Sequence, residues 1–182
     1  MRRLGLLVGA VLALGAAGAE PGADVLALPT TWRAEDGHPV ALSAFAGRWY
    51  VLSFVYTSCP GTCPRTTATL KRLEVALARA GTPLDTVVVS LDPEHDTPAA
   101  VRAYRARHQL QGARRWHLLV GAEDQLRALA MLLDFHYARN PGSGAIAHDN
   151  VVYLVGPDGT VRASQSSLEP PGEAFLAAAG GQ

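Results

Sequence analysis

The chain has 182 residues, 48% of them hydrophobic and 18% charged, which is enough apolar material for one domain with its own core and argues against disorder. Sixteen basic and sixteen acidic residues give a net charge of zero, and the basic residues are spread along the chain rather than clustered. This distribution excludes nucleic acid as the partner.

The N-terminus has the three parts of a secretory signal. A charged start, Met1-Arg2-Arg3, is followed by an apolar run over 4–17 and by the small residues Ala17-Gly18-Ala19. We therefore predict a signal peptide at 1–19, cleaved at its end, and one exported domain at 20–182 with a net charge of −2.

An uncleaved N-terminal anchor is the competing interpretation. The apolar run spans 14 residues, which is short of the roughly 20 that a membrane-spanning helix needs. The domain is expected in the periplasm or on the outer face of the cytoplasmic membrane, close to the membrane without spanning it.

After the signal, turn residues and hydrophobic patterning predict a β-hairpin followed by alternating strands and helices. The hairpin has extended runs at 24–32 and 38–42 around Asp36-Gly37. Further strands are predicted at 50–56, 85–91, 115–120, 150–155 and 160–164, and helices at 64–80, 99–109, 123–137 and 172–179.

Two connections carry specific signals. Asp96 or Thr97 is predicted as the N-cap of the second helix, with Pro98 as its first residue. Residues 138–147 include Asn-Pro-Gly-Ser-Gly and are predicted to form a flexible loop that leads to His148.

This order of elements predicts an α/β protein with a thioredoxin-like fold, in which an N-terminal β-hairpin precedes a central mixed sheet with flanking helices. Right-handed crossovers place the end of the strand at 50–56 at one edge of the molecule. Cys59 and Cys63 follow that strand, and we expect them to be exposed there.

Both cysteines lie in the stretch Cys59-Pro60-Gly61-Thr62-Cys63-Pro64, between a buried strand and a helix. Pro64 suits the first helical position, so Cys63 is expected in the loop or at the cap. Sulfurs close to a helix N-terminus are expected to form thiolates more readily than free cysteine.

Three interpretations of this pair are open. A structural disulfide would close a very short loop, and the chain-entropy model gives it only about 2 kcal/mol, against about 5 kcal/mol for a loop of about 100 residues. A redox-active dithiol is a second interpretation, although its usual spacing is Cys-x-x-Cys. The longer spacing favours the third, chelation of a soft metal such as Cu(I) or Zn(II) by two thiolates and an imidazole.

Such a metal site needs a histidine. His148 is the main candidate, because a mobile loop would let it capture and release a metal, and His95 is a minor candidate because it follows the strand at 85–91 on the same edge as the cysteines. The other histidines are interpreted as surface or satisfied side chains: His38, His108, His117 and His136.

Three motifs together resemble the Sco/SenC family of copper-binding, thioredoxin-fold proteins that help to assemble the CuA centre of cytochrome c oxidase. The motifs are Tyr56-Thr57-Ser58-Cys59-Pro60-Gly61-Thr62-Cys63-Pro64, then Ser90-Leu91-Asp92-Pro93-Glu94-His95-Asp96-Thr97-Pro98, then His148 followed by Tyr153-Leu154-Val155-Gly156-Pro157-Asp158-Gly159. The resemblance covers residues from about 24 to 180.

By this resemblance, Cys59, Cys63 and His148 are the ligands of one copper ion, as Cu(I), Cu(II) or both. The segment that begins at Asp92 matches a strand exit that shapes its loop rather than binding metal, and His95 stands where the family often has arginine. A methionine-rich copper site is ruled out, because the chain has two methionines and one of them is Met1.

The resemblance implies a copper chaperone rather than an enzyme with turnover. Its expected partners are the respiratory oxidase subunit that carries CuA, and other copper carriers or thiol reductants. The alternative is a thiol–disulfide oxidoreductase, in which Cys59 and Cys63 are a redox-active pair that reduces the cysteines of the oxidase copper site. Peroxide reduction shares the fold but lacks support, because it needs one low-pKa cysteine in a dedicated pocket.

Overall fold

The computed structural model describes residues 22–110 and 113–180, so the predicted signal peptide lies outside the described residues. The strands are β1 (Thr31–Arg33), β2 (Pro39–Ala41), β3 (Tyr50–Val55), β4 (Asp85–Ser90), β5 (Trp116–Leu119), β6 (Tyr137–Arg139), β7 (Ile146–His148), β8 (Val151–Val155) and β9 (Val161–Ser166). The helices are α1 (Cys63–Arg79), α2 (Pro98–Arg107), α3 (Glu123–Leu132) and α4 (Glu173–Gly180).

A five-stranded mixed sheet with the order β5-β4-β3-β8-β9 forms the centre of the fold. β3, β4 and β5 are parallel to one another, β8 is antiparallel to β3, and β9 is antiparallel to β8. Every residue of β3, β4 and β8 is buried, and their sequences are accordingly rich in apolar and β-branched residues without polar alternation. The thioredoxin-like α/β fold predicted from the sequence is confirmed.

The helices cover the sheet as the connections require. β3, α1, β4, α2 and β5 form two successive right-handed crossovers, which put α1 and α2 on one face. Thr67 of α1 and Tyr104 of α2 share a hydrogen bond between their hydroxyls, and Thr66 meets Ser167 beside α4. Phe135, just after α3, stacks on Phe54 of β3.

The predicted N-terminal hairpin is present but shorter than expected. β1 and β2 pair with Trp32 opposite Val40, and Trp32 is fully buried. The residues from 24 to 30 do not extend β1, because the Asp24 carboxylate accepts hydrogen bonds from the backbone N–H groups of Leu26 and Ala27 and turns the chain there.

The third helix is also shorter than predicted, ending at Leu132 rather than at 137. Asp134 has a left-handed backbone with a φ of 48°, and the N–H of Phe135 donates to the carbonyl of Ala130. These are features of a Schellman stop, which ends a helix although the apolar spacing continues beyond it.

The prediction of a flexible loop over the whole of 138–147 is wrong, because residues 138–139 and 146–147 pair as parts of β6 and β7 in an antiparallel hairpin, and only 140–145 connect the two strands. The turn is organised by Asn140, whose side-chain oxygen accepts from the N–H groups of Gly142 and Ser143. Pairing places Tyr137 opposite His148 and Arg139 opposite Ile146. His148 is therefore the last residue of a strand.

Across residues 22–110 and 113–180, none of the helices combines the length and the apolar character needed to cross a membrane.

Candidate metal centre

The cysteine loop joins β3 to α1 and sets the position of both sulfurs. The N–H of Cys59 donates to the carbonyl of Tyr56 in the turn after β3. Cys63 is the first residue of α1 and Thr62 is its N-cap, so the helix begins one residue earlier than predicted. Pro64 is tolerated at the second position because N–H groups in the first turn have no acceptor within the helix.

Both cysteines are buried, which corrects the expectation that they would be exposed. Cys59 is 8% exposed and Cys63 is fully buried. The β6–β7 hairpin brings His148 over the sulfur of Cys63, and the ring of Tyr56 stands edge-on to the His148 imidazole. The β6–β7 hairpin, which the sequence analysis did not predict, thus covers the carboxyl end of β3, where the cysteine loop begins.

The two thiols differ in acidity. Burial opposes ionisation of Cys59, but hydrogen bonds from the Cys63 thiol, from the N–H groups of Cys63 and Gly61 and from Tyr56 outweigh it and lower the pKa of Cys59. Burial, followed by the neighbouring Cys59, raises the pKa of Cys63 far above its ordinary range. The expectation of easily formed thiolates therefore holds for Cys59 and is wrong for Cys63.

His148 presents one ring nitrogen to the sulfurs and uses the other to hold its orientation. Its Nδ1 lies 2.7 Å from the carbonyl oxygen of Asp149. A carbonyl only accepts, so Nδ1 carries the hydrogen. Nε2 lies 4.0 Å from Sγ of Cys63. In the neutral ring, this nitrogen keeps its lone pair for a metal.

Sγ of Cys59, Sγ of Cys63 and Nε2 of His148 lie within 4.8 Å of one another. No other set of three His, Cys, Asp or Glu side chains within 22–110 and 113–180 converges in this way. Ligand atoms bound at about 2.0–2.3 Å around a three-coordinate metal stand about 4 Å apart, so a small contraction would close the group on a soft ion.

His95 does not join this group. Its Nδ1 lies 2.8 Å from Oδ1 of Asp92, and its side chain is largely exposed. The remaining histidines also lie away from the sulfurs, each with a partner of its own: His38 with Asp36, His108 with Tyr104, His117 with Asp85, and His136 with Asp149.

Three residues at this centre were missed by the sequence analysis. Phe135 stacks on the His148 ring at 6.2 Å between centroids, and Tyr56 meets the same ring edge-on at 6.2 Å. Asp149 holds the His148 ring through its carbonyl. The apolar character of Tyr56 and Phe135 predicts a strand and a helix, and it gives no sign that their rings line a site.

Comparison with known proteins points to one family. The SCO1/SenC family model matches residues 23–179. A SCO1 protein homolog of Bacillus subtilis is 29% identical over 143 residues, which cover 78% of this chain and 74% of that protein.

Solved structures share the fold. The crystal structure of Arabidopsis thaliana ScoI with copper bound has a TM-score of 0.73 at 21% identity, covering 85% of this chain and 96% of that chain. BsSco, described as a member of the Sco family of cytochrome c oxidase assembly proteins with a disulfide switch, has a TM-score of 0.70 at 27% identity, covering 83% of this chain and 88% of that chain.

Proposed function

Because the chain belongs to the SCO1/SenC family, we propose that it binds one copper ion through Cys59, Cys63 and His148 and delivers it to the CuA site of a respiratory cytochrome c oxidase. The observation that carries this proposal is the convergence of the three ligand atoms within 4.8 Å. The copper-bound ScoI structure and the description of BsSco as an oxidase assembly protein support it.

The ligand chemistry suits copper as a cargo. Two thiolates and a neutral imidazole give a Cu(I) site with a net charge of −1, which the N-terminus of α1 helps to stabilise. Cys59 ionises more readily, whereas Cys63 must give up its proton when the metal binds. Copper affinity therefore rises with pH, because binding releases protons.

Transfer to a partner needs an opening in the coordination of the metal. Three protein ligands leave room for a ligand from the recipient, so copper can pass by stepwise ligand exchange without being released into solution. His148 is half-buried, whereas both cysteines are buried, and it is the ligand most accessible for such exchange.

Competition titration of the reduced protein with Cu(I) and a chromogenic chelator, without oxygen, tests copper binding. The wild type should bind one equivalent, and His148→Ala should bind it at least tenfold more weakly while both cysteines remain oxidisable. Unchanged affinity and stoichiometry in His148→Ala would contradict the proposed ligand set. Incubation of the loaded protein with a metal-free CuA domain tests delivery.

The cysteine pair supports a second candidate, a thiol–disulfide oxidoreductase acting on the oxidase copper site. The Cys59 thiolate would attack a target disulfide, forming a mixed disulfide and releasing one target thiolate. Cys63 would then attack the Cys59 sulfur, forming a Cys59–Cys63 disulfide and releasing the second target thiol. Two electrons pass from the pair to the target, and both sulfurs are close enough for this exchange.

The two candidates differ in their need for the imidazole. Reduction of an oxidised CuA domain should remain complete in His148→Ala, because only the sulfurs take part. Loss of reduction in that variant would favour copper delivery as the sole role.

We also place this activity outside the cytoplasmic membrane, near the oxidase. The charged, apolar and small-residue pattern of the first 19 residues supports export. Recovery of the protein in the periplasmic fraction, with an N-terminus at residue 20, would test both the location and the cleavage.

A further inference from the structure

We infer that the turn at residues 92–96, which follows β4, is a brace that positions both halves of the copper site, the cysteine loop and the β6–β7 hairpin. The brace holds the loop through Asp96 and the hairpin through Asp92. The inference rests on the proposed copper site and adds positioning residues that do not touch the metal.

Asp96 fixes the cysteine loop. Its carboxylate is buried and accepts from the N–H of Thr57 at 3.1 Å and from the Thr57 hydroxyl at 2.6 Å. The hydroxyl of Ser90, at the end of β4, donates to the other carboxylate oxygen at 2.6 Å. Thr57 stands two residues before Cys59, so Asp96 sets the path by which the chain leaves β3 and enters the loop.

Asp92 holds the hairpin. Its carboxylate is 4% exposed, and its Oδ1 accepts from Nη2 of Arg139 at 2.7 Å and from Nδ1 of His95 at 2.8 Å. Arg139 is on β6, directly opposite Ile146 of β7, and Ile146 is two residues before His148. The ion pair between Asp92 and Arg139 thus fixes β6, and β6 in turn positions His148 through its pairing with β7.

The hairpin needs such a tie. β6 and β7 form a separate sheet of two strands, and an isolated two-stranded hairpin is marginal in water. Its other end is held where Asp149 pairs with His136. If the end near Arg139 is released, the ring of His148 faces the sulfurs for a smaller fraction of the time. The apparent copper affinity falls in proportion to the fraction of molecules in which the ring faces the sulfurs.

Arg139 can be replaced without leaving the buried Asp92 carboxylate alone, because His95 donates to the same oxygen. Arg139→Met should therefore fold. We expect it to bind Cu(I) about tenfold more weakly than the wild type, as is typical when a group that orients a metal ligand is removed. Arg139→Lys should recover most of the affinity.

The matched control is Arg162→Met, which removes an exposed arginine paired with Asp158 in the connection between β8 and β9. It should bind copper like the wild type. In the Cu(II) form, Arg139→Met should lose part of the imidazole nitrogen coupling in the electron paramagnetic resonance spectrum, while its two thiols still titrate. Thr57→Val should change the rate at which the cysteines react and leave the nitrogen coupling unchanged.

Wild-type affinity and nitrogen coupling in Arg139→Met would overturn the inference. If the wild type itself fails to bind copper, the proposed function fails, and hydrogen exchange of the metal-free protein still tests the brace. The amides of 137–148 should then exchange faster in Arg139→Met than in Arg162→Met. Equal exchange rates would count against a brace whether or not copper binds.

Discussion

At the scale of single residues, the sequence motifs singled out the three side chains that the structure brings together. Cys59 and Cys63 share one loop, so their proximity follows from local spacing. The meeting of His148 with them depends on the pairing of β3 with β8 and on the β6–β7 hairpin. The loop before His148 made it the main histidine candidate, and the Sco/SenC resemblance implied that it is a ligand. The unequal acidity of the two thiols could not be predicted, because it arises from packing.

Tyr56 offers a test of that unequal acidity. Its hydroxyl, acting as a donor to the thiolate, contributes to the lowered pKa of Cys59. We expect Tyr56→Phe to raise the pKa of Cys59, because the thiolate loses a donor, so alkylation by iodoacetamide near neutral pH should become slower.

Tyr137→Phe is the control for this change, because Tyr137 donates to Glu123 on α3 rather than to a sulfur. Its alkylation profile should match that of the wild type. An unchanged profile in Tyr56→Phe would mean that the phenol does not stabilise the thiolate.

Asp92 links the brace to acid stability. Burial opposes its ionisation, but hydrogen bonds from His95 and Arg139 outweigh burial and lower its pKa. A carboxyl whose pKa is lower in the folded state stabilises the protein above its ordinary pKa, and this contribution is lost as the pH falls through the folded value. Asp92→Asn should therefore lower the free energy of unfolding at neutral pH, by about 1–3 kcal/mol.

Urea unfolding across the acid range would measure this effect. The difference between wild type and Asp92→Asn should shrink as the pH drops below about 4. The pKa of the neighbouring Asp96 shifts in the opposite direction, because burial raises it. Titration of Asp96 therefore cannot produce a loss of stability as the pH falls. A difference that stays constant with pH would contradict the assignment.

At the scale of elements, strands and helices with a buried face were predictable, whereas their ends and the second hairpin were not. β6 and β7 have little alternation and are held by pairing with each other and by contacts with other elements, such as Arg139 with Asp92 and Tyr137 with Glu123. Such contacts join positions far apart in sequence, so the local pattern of residues does not predict them. α2 is the counterexample, because its start depends on adjacent residues alone.

The predicted N-cap of α2 is confirmed at Thr97, whose hydroxyl accepts from the N–H of Ala100 at 3.3 Å. Thr97→Ala should reduce the free energy of unfolding by about 1 kcal/mol, because that N–H loses its acceptor. Thr97→Ser should keep most of the stability in the same urea titration, and a loss equal to that of alanine would argue against capping.

At the scale of the whole molecule, copper should stabilise the fold that brings its proposed ligands together. A ligand bound only by the native state adds about 4 kcal/mol when its free concentration is 1,000 times Kd. We expect buffered Cu(I) to raise the thermal unfolding temperature of the reduced wild type. His148→Ala should show a smaller rise in unfolding temperature at the same free copper concentration. Equal rises would imply that the imidazole does not contribute to copper affinity.

The separation of Cys63 and His148 along the chain, 85 positions, has a consequence for the timing of metal loading. Between them lie β4, α2, β5 and α3, all of which must be in place before the third ligand reaches the other two. A nascent or extended polypeptide offers copper at most a two-sulfur fragment. With the proposed ligand set, copper is therefore bound at full affinity only after the domain has folded.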